Sequence, residues 1–181
     1  MLATVLALGA ATATYVLLAD RVSSEDDAES PVGTIELTPE SEAPPSDDVS
    51  FLTFDGQEVP LANIQGTPTV VNFFSSTCTP CITEMPAFEE VYQDLGDEQV
   101  AFLGLAVADR VEAAQDLIEQ TGVTYPTAQD PENAVFDALG GAVLPTTVLL
   151  DADGEVVATH HGELDADELR AFLADELDVS T

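Results

Sequence analysis

Apolar positions along the chain form three patterns. The first is continuous. Residues Leu2 to Ala19, LATVLALGAATATYVLLA, carry no charge and reach the minimum length of a bilayer-spanning helix. This predicts a membrane-anchor helix or uncleaved signal over residues 1–19. The small-residue triplet Ala11 to Ala13 offers a cleavage site, so removal as a signal peptide is the rival reading, but YVLL carries the apolar run past that site and favours the anchor. No cysteine follows the run, which excludes a lipid-attached form. Arg21 follows it and no basic residue precedes it, so the charge rule by itself does not favour export of the remainder.

In the second pattern, apolar periodicity is absent. Residues 20–50 are acidic and rich in Ser and Pro, with stretches such as SSEDDAESPVG and TPESEAPPSDD. Such a segment buries too little apolar surface to offset its ordering entropy, and its own charge extends it. It predicts a disordered acidic linker.

The third pattern alternates strand-length and helix-period runs, and it occupies residues 51–181. FLTFDGQEVPLANIQG reads as a hairpin turning at Asp55-Gly56. TVVNFF (Thr69 to Phe74) and VAFLGLAV (Val100 to Val107) are unbroken apolar runs, expected of strands covered on both faces. Between them Ile82, Met85, Phe88, Tyr92 and Leu95 recur at helical spacing, and Val111, Ala114, Leu117, Ile118 and Thr121 line a second helix. A third helix is predicted from DPENAVFDALGG, with Asp130 as cap, Pro131 in the first turn and Gly140 as stop. TTVLL, the turn DADG and EVVATH then form two antiparallel strands. The last helix is capped by Asp165, with Glu168 three residues on and Leu169, Phe172 and Leu173 inward. The fold class is α/β, helices around a central mixed sheet.

Composition changes this picture in one respect. The chain has 181 residues, 45% of them hydrophobic, enough for a core without staples. Asp and Glu total 35, while the only Lys or Arg residues are Arg21, Arg110 and Arg170, giving a formal charge of -32. That charge repels phosphate backbones and excludes nucleic acid as a partner. It reads as a solvated coat suited to a salty setting; attraction to a basic partner would need a docking patch, and no local cluster marks one.

Both cysteines lie in FFSSTCTPCITEMPAF. If CTPC opens the helix after TVVNFF, Cys78 sits where free N–H groups and the positive end of the helix dipole stabilise a thiolate. Cys81 lies one turn on, within disulfide reach, and can resolve a mixed disulfide formed at Cys78. Pro80 fits the first helical turn and stiffens it. A purely structural disulfide is disfavoured, because so short a loop adds only about 2 kcal/mol by the entropy estimate. A zinc site would need His160 and His161 beside the cysteines, and adjacent strand residues face opposite ways. The two histidines read as surface or packing residues, and Pro86 as a structural helix kink.

The segment GTPTVVNFFSSTCTPCITEMPAF, with LTFDGQEVPLANIQG before it and GVTYPTAQDPENAVFDALGG and VLPTTVLLDADGEVV after it, resembles the TlpA/ResA-like membrane-anchored thiol-disulfide oxidoreductases of the thioredoxin superfamily. The resemblance covers about Phe51 to Leu173 and implies a thioredoxin-like fold. It places Pro145 on a cis-proline that packs against the cysteine pair, and Glu84 on an acid held near it. Glu84, one helical turn beyond Cys81, would be raised in pKa by burial and would relay a proton to or from a thiol. Asn72 stands where thioredoxin has a buried aspartate. Pro145, starting a strand, would leave an unpaired strand edge for an incoming peptide, and Thr79, Pro80 and Leu144 would share that substrate-binding surface. Thr77 departs from the pattern, since family members usually carry tryptophan there.

The resulting expectation is an extracytoplasmic thiol-disulfide oxidoreductase, with Cys78 attacking, Cys81 resolving and Glu84 assisting. It would need no bound cofactor beyond the Cys78-Cys81 disulfide and no metal. It would act as a monomer on protein thiol/disulfide substrates together with an upstream redox partner. Its place would be the cell membrane as a single-pass protein, or the exterior after signal cleavage. The resemblance implies reduction of protein disulfides, for example toward cytochrome c assembly. A peroxiredoxin-like peroxidase is one alternative, but Val71 and Ser75 occupy the positions where its P-x-x-x-T-x-x-C site needs proline and threonine. A metal-delivery module with a thioredoxin fold is another, and the CTPC spacing disfavours it.

Overall fold

The computed structural model describes residues 49–95, 99–177 and 179. The anchor predicted over 1–19 and nearly all of the linker lie outside these residues. Among the described residues no helix is long and apolar enough to cross a membrane.

Seven strands form one mixed sheet in the order β2 (Glu58–Pro60), β1 (Ser50–Leu52), β5 (Thr127–Asp130), β4 (Ala101–Val107), β3 (Thr69–Phe74), β6 (Thr146–Leu150) and β7 (Val156–His161). Strand β3 (Thr69–Phe74) lies inside the sheet, parallel to β4 (Ala101–Val107) and antiparallel to β6 (Thr146–Leu150). All six β3 residues are buried. That is why its sequence shows no polar alternation: helices cover both faces. Strand β5 (Thr127–Asp130) extends the parallel part, and β7 (Val156–His161) pairs antiparallel with β6 at one edge. The hairpin β1 (Ser50–Leu52) and β2 (Glu58–Pro60) closes the other edge, and Gly56 at its turn takes φ 85°, open to glycine without strain.

Side chains of β3 divide the core in two. Val70 and Phe74 meet Met85, Phe88 and Val91 of α1 (Thr79–Leu95), Leu117 of α2 (Val111–Thr121), and Leu169 and Leu173 of α4 (Ala166–Leu177). Val71 and Phe73 face the opposite side with Leu105, Val135 and Leu139. Gly104 of β4 admits the ring of Tyr125, since a Cβ there would stand 3.1 Å from the Tyr125 ring.

One expectation is corrected, and one strand is added to those predicted. The third helix, α3, spans only Ala134–Ala138, and Asp130 ends β5 instead of capping a helix from Pro131. The reason is tertiary: Asp130 is buried in the sheet and reaches forward, its Oδ2 accepting from the Phe136 N–H at 2.8 Å. Strand β5 itself was not foreseen, because TAQD is short and polar. Its Gln129 is satisfied by donating to the Thr53 carbonyl at 2.8 Å, and it pairs with Leu52 of β1.

Candidate active site

The chain leaves the sheet at Phe74 and passes through Ser75 to Thr77 into α1. This link is held from the side by Asp109, at the end of β4. The Ser76 N–H and hydroxyl both donate to the Asp109 carboxylate, the hydroxyl at 2.8 Å, and the Arg110 N–H donates to the same group at 2.8 Å. Ala108, just before it, takes the left-handed φ of 46°, a conformation that costs a non-glycine residue and turns the chain toward the link. The Ala108 N–H donates to the Asp130 carbonyl at 3.0 Å. No sequence signal pointed to Asp109 beyond its place as an acid just after an apolar run.

Cys78 immediately precedes α1. Its N–H donates to the Ser75 carbonyl at 3.0 Å, and its carbonyl accepts from Ile82 at 3.3 Å. The Cys81 N–H, one of the orphan donors of the helix start, donates to Cys78 Sγ at 3.3 Å. A disulfide joins the two cysteines, with Cα atoms 5.3 Å apart. Cys78 is half-buried, whereas Cys81 is fully buried. The two sulfurs therefore differ in access and in hydrogen bonding.

Glu84 follows Cys81 on the inward side of α1, beside Met85 and Phe88, and is 1% exposed. Its Oε2 accepts from Asn72 Nδ2 at 3.0 Å, and its Oε1 from the Leu164 N–H at 3.1 Å. Burial pushes its pKa up from the ordinary 4.5 to about 7; the two donors oppose that rise and nearby Glu163 adds to it. The group thus changes protonation near neutrality. The Leu164 contact comes from the backbone of a segment 80 residues away, which sequence cannot announce.

The last β3–β6 pair is Phe73 with Thr146, so Pro145 enters β6 beside the end of β3, where the cysteine link begins. The Leu144-Pro145 bond is cis, and Pro145 is buried. On the β7 side the Pro145 carbonyl accepts from the Gly162 N–H at 2.9 Å, because the chain leaving β7 continues alongside. The segment 142–144 before it joins no strand, and it carries Val143, 55% exposed. Leu144 and Cys78 are both half-buried and pack against the same side of the core. Thr77, Thr79 and Pro80 are exposed around the cysteines.

His160 is half-buried with its ring 6.1 Å from that of Phe172, and His161 is exposed with Nδ1 2.9 Å from Thr146 Oγ1. Pro86 lies inside α1 and is exposed. Among the described residues no group of three or more His, Cys, Asp or Glu is placed to hold a metal ion.

The chain matches the model of the AhpC/TSA family over residues 39–159. Thiol-disulfide oxidoreductase ResA of Bacillus thuringiensis is 29% identical over 119 residues, 66% of this chain and 69% of that protein. ResA of Geobacillus kaustophilus is 30% identical over 118 residues, 65% of this chain and 68% of that one. Among solved structures, the mixed oxidised and reduced MTB dsbF superimposes with a TM-score of 0.65 at 25% identity, covering 74% of this chain and 98% of its own. A DsbF homologue from Corynebacterium diphtheriae gives 0.64 at 30% identity, covering 81% and 96%. With the Cys-x-x-Cys pair at a helix start on a thioredoxin-like sheet, these similarities place the chain in the AhpC/TSA family, as a TlpA/ResA-like thiol-disulfide oxidoreductase of the thioredoxin superfamily.

Proposed function

We propose that the chain reduces disulfides of partner proteins outside the cytoplasm. The observation that carries this reading is the asymmetry of the pair: Cys78 is reachable and its sulfur accepts a helix-start N–H, while Cys81 is sealed beneath it near a carboxyl that titrates around neutrality.

In the reduced protein the Cys78 thiolate attacks one sulfur of a partner disulfide, and the other partner sulfur leaves as a thiolate that takes up a proton. Cys81 then yields its proton to Glu84 and attacks Cys78 Sγ. The second partner sulfur leaves, and the Cys78-Cys81 disulfide carries away the two electrons' worth of oxidation. An upstream dithiol restores the reduced state by the reverse exchange. Exposed Thr77, Thr79 and Pro80, with half-buried Leu144, form the surface on which the partner chain rests, and buried Pro145 backs it. Asn72 holds Glu84 in place.

The apolar run of residues 2–19 would anchor the protein as a single-pass monomer, and the acidic segment after it would tether the domain to the membrane. The relatives named ResA support this reading, and proteins awaiting cytochrome c assembly are one client class it suggests. The reduction potential of the Cys78/Cys81 pair tests the direction of exchange. A reductase requires a value near that of thioredoxin, about -270 mV, whereas a value near that of DsbA, about -120 mV, would make it an oxidant.

A further inference from the structure

Four buried side-chain atoms among the described residues have no hydrogen-bond partner, and two of them are neighbours: Asn72 Oδ1 and Thr147 Oγ1. Asn72 and Thr147 are directly opposed in the β3–β6 register. Residues so paired project to one face with Cβ atoms about 4.5–5.5 Å apart. That face is the one Glu84 occupies, because Val70 pairs with Leu149 two residues away and both pack with Met85 and Phe88. Thr147 is wholly buried and Asn72 is 1% exposed. A buried polar atom left without a partner is costly, and the hydroxyl can donate what the amide oxygen accepts.

We infer that Thr147 is a positioning residue for Glu84: its hydroxyl is linked to Asn72 Oδ1 through one buried water, and so fixes the Asn72 amide with its Nδ2 aimed at the Glu84 carboxylate. The inference rests on the reading that Glu84 serves the cysteine pair, but its geometry does not involve turnover. A donor held on the amide oxygen by that hydroxyl polarises the amide and strengthens its N–H as a donor. Thr147 thereby favours the charged form of Glu84. Without the hydroxyl, the amide is free to turn its oxygen toward a protonated Glu84, and proton affinity rises. The other titratable groups near Glu84 are Glu163, in the segment after β7, and Tyr125, before β5, whose hydroxyl burial pushes far above its ordinary range. Cys81 on α1 is held in the disulfide, and His160 is the next residue across the sheet from Thr147.

The test is a titration of the Glu84 side-chain carboxyl by 13C NMR in the oxidised full-length chain. The signal is assigned by its loss in Glu84→Gln, and the series is recorded with His160→Gln, which removes the ring paired across the sheet from Thr147. We expect Thr147→Val to raise the proton affinity of Glu84 about threefold or more, Thr147→Ser to restore it, and Asn72→Ala to abolish the difference between Thr and Val. An unchanged midpoint in Thr147→Val, a serine variant that behaves like valine, or a valine effect that persists without Asn72 would each overturn the assignment. If the valine variant does not fold, the wild-type Thr147 methyl and Asn72 side-chain amide signals decide: both must shift with the Glu84 midpoint, and a Thr147 methyl that does not follow overturns the inference. None of these readouts depends on reductase activity, so loss of the functional reading would leave them intact.

Discussion

Glu84 concentrates the chemistry of single residues in this protein. A carboxyl whose pKa is 4.5 in the unfolded chain and about 7 in the folded one binds its proton more tightly when folded. Its contribution to stability is complete below about pH 4.5 and is lost as pH rises through 7, an effect of roughly 3 kcal/mol. Glu84→Gln cannot ionise, so the stability difference between variant and wild type should move by about that amount in the variant's favour from pH 4.5 to pH 8. Urea denaturation across that range measures it, and parallel pH profiles would contradict the buried-carboxyl account. Cys78, Cys81 and their helix-start setting were legible in the sequence, since spacing and the preceding apolar run suffice. The burial of Glu84 was legible only through its place after Cys81 and the family resemblance. Its partners Asn72 and the Leu164 N–H converge from distant segments, and Asp109 carries no local mark at all.

At the scale of elements, two devices hold the active helix and its support. Asp165 and Glu168 form a reciprocal cap on α4, the Glu168 N–H donating to Asp165 at 2.9 Å and the Asp165 N–H to Glu168 at 3.0 Å. Asp165→Ala should cost about 1 kcal/mol in a denaturant melt. The Asp109 grip on Ser76 is a charge-assisted pair of bonds, and Asp109→Ala should cost about 1.5–3 kcal/mol by the same measurement. An equally stable Asp109→Ala variant would mean that the link is held by other contacts. Strands β3 and β4 are readable from sequence because burial on both faces leaves unbroken apolar text. Strand β5 is hidden because its buried Gln129 and Asp130 satisfy their polar atoms with Thr53 and Phe136, contacts of tertiary origin. The same Asp130 contact displaced the start of α3.

For the whole molecule the dominant fact is charge. Of the two described cations, Arg170 ties α4 to α1 through Glu90 and Asp94, with Asp167 also near, while Arg110 is exposed with Glu112 at 3.8 Å. Acidic groups far outnumber such partners, and self-repulsion at a formal charge of -32 opposes the compact state. The melting temperature should therefore rise from low to molar salt, as calorimetry would show; a flat curve would mean that the charges are too dispersed to matter. The central claim, that one reachable thiolate begins the exchange and one sealed thiol ends it, is tested most directly by trapping. Cys81→Ser should accumulate mixed disulfides between Cys78 and partner proteins, visible on non-reducing gels and released by reductant, while Cys78→Ser should trap none. Equal trapping by the two variants, or trapping by Cys78→Ser alone, would contradict the account.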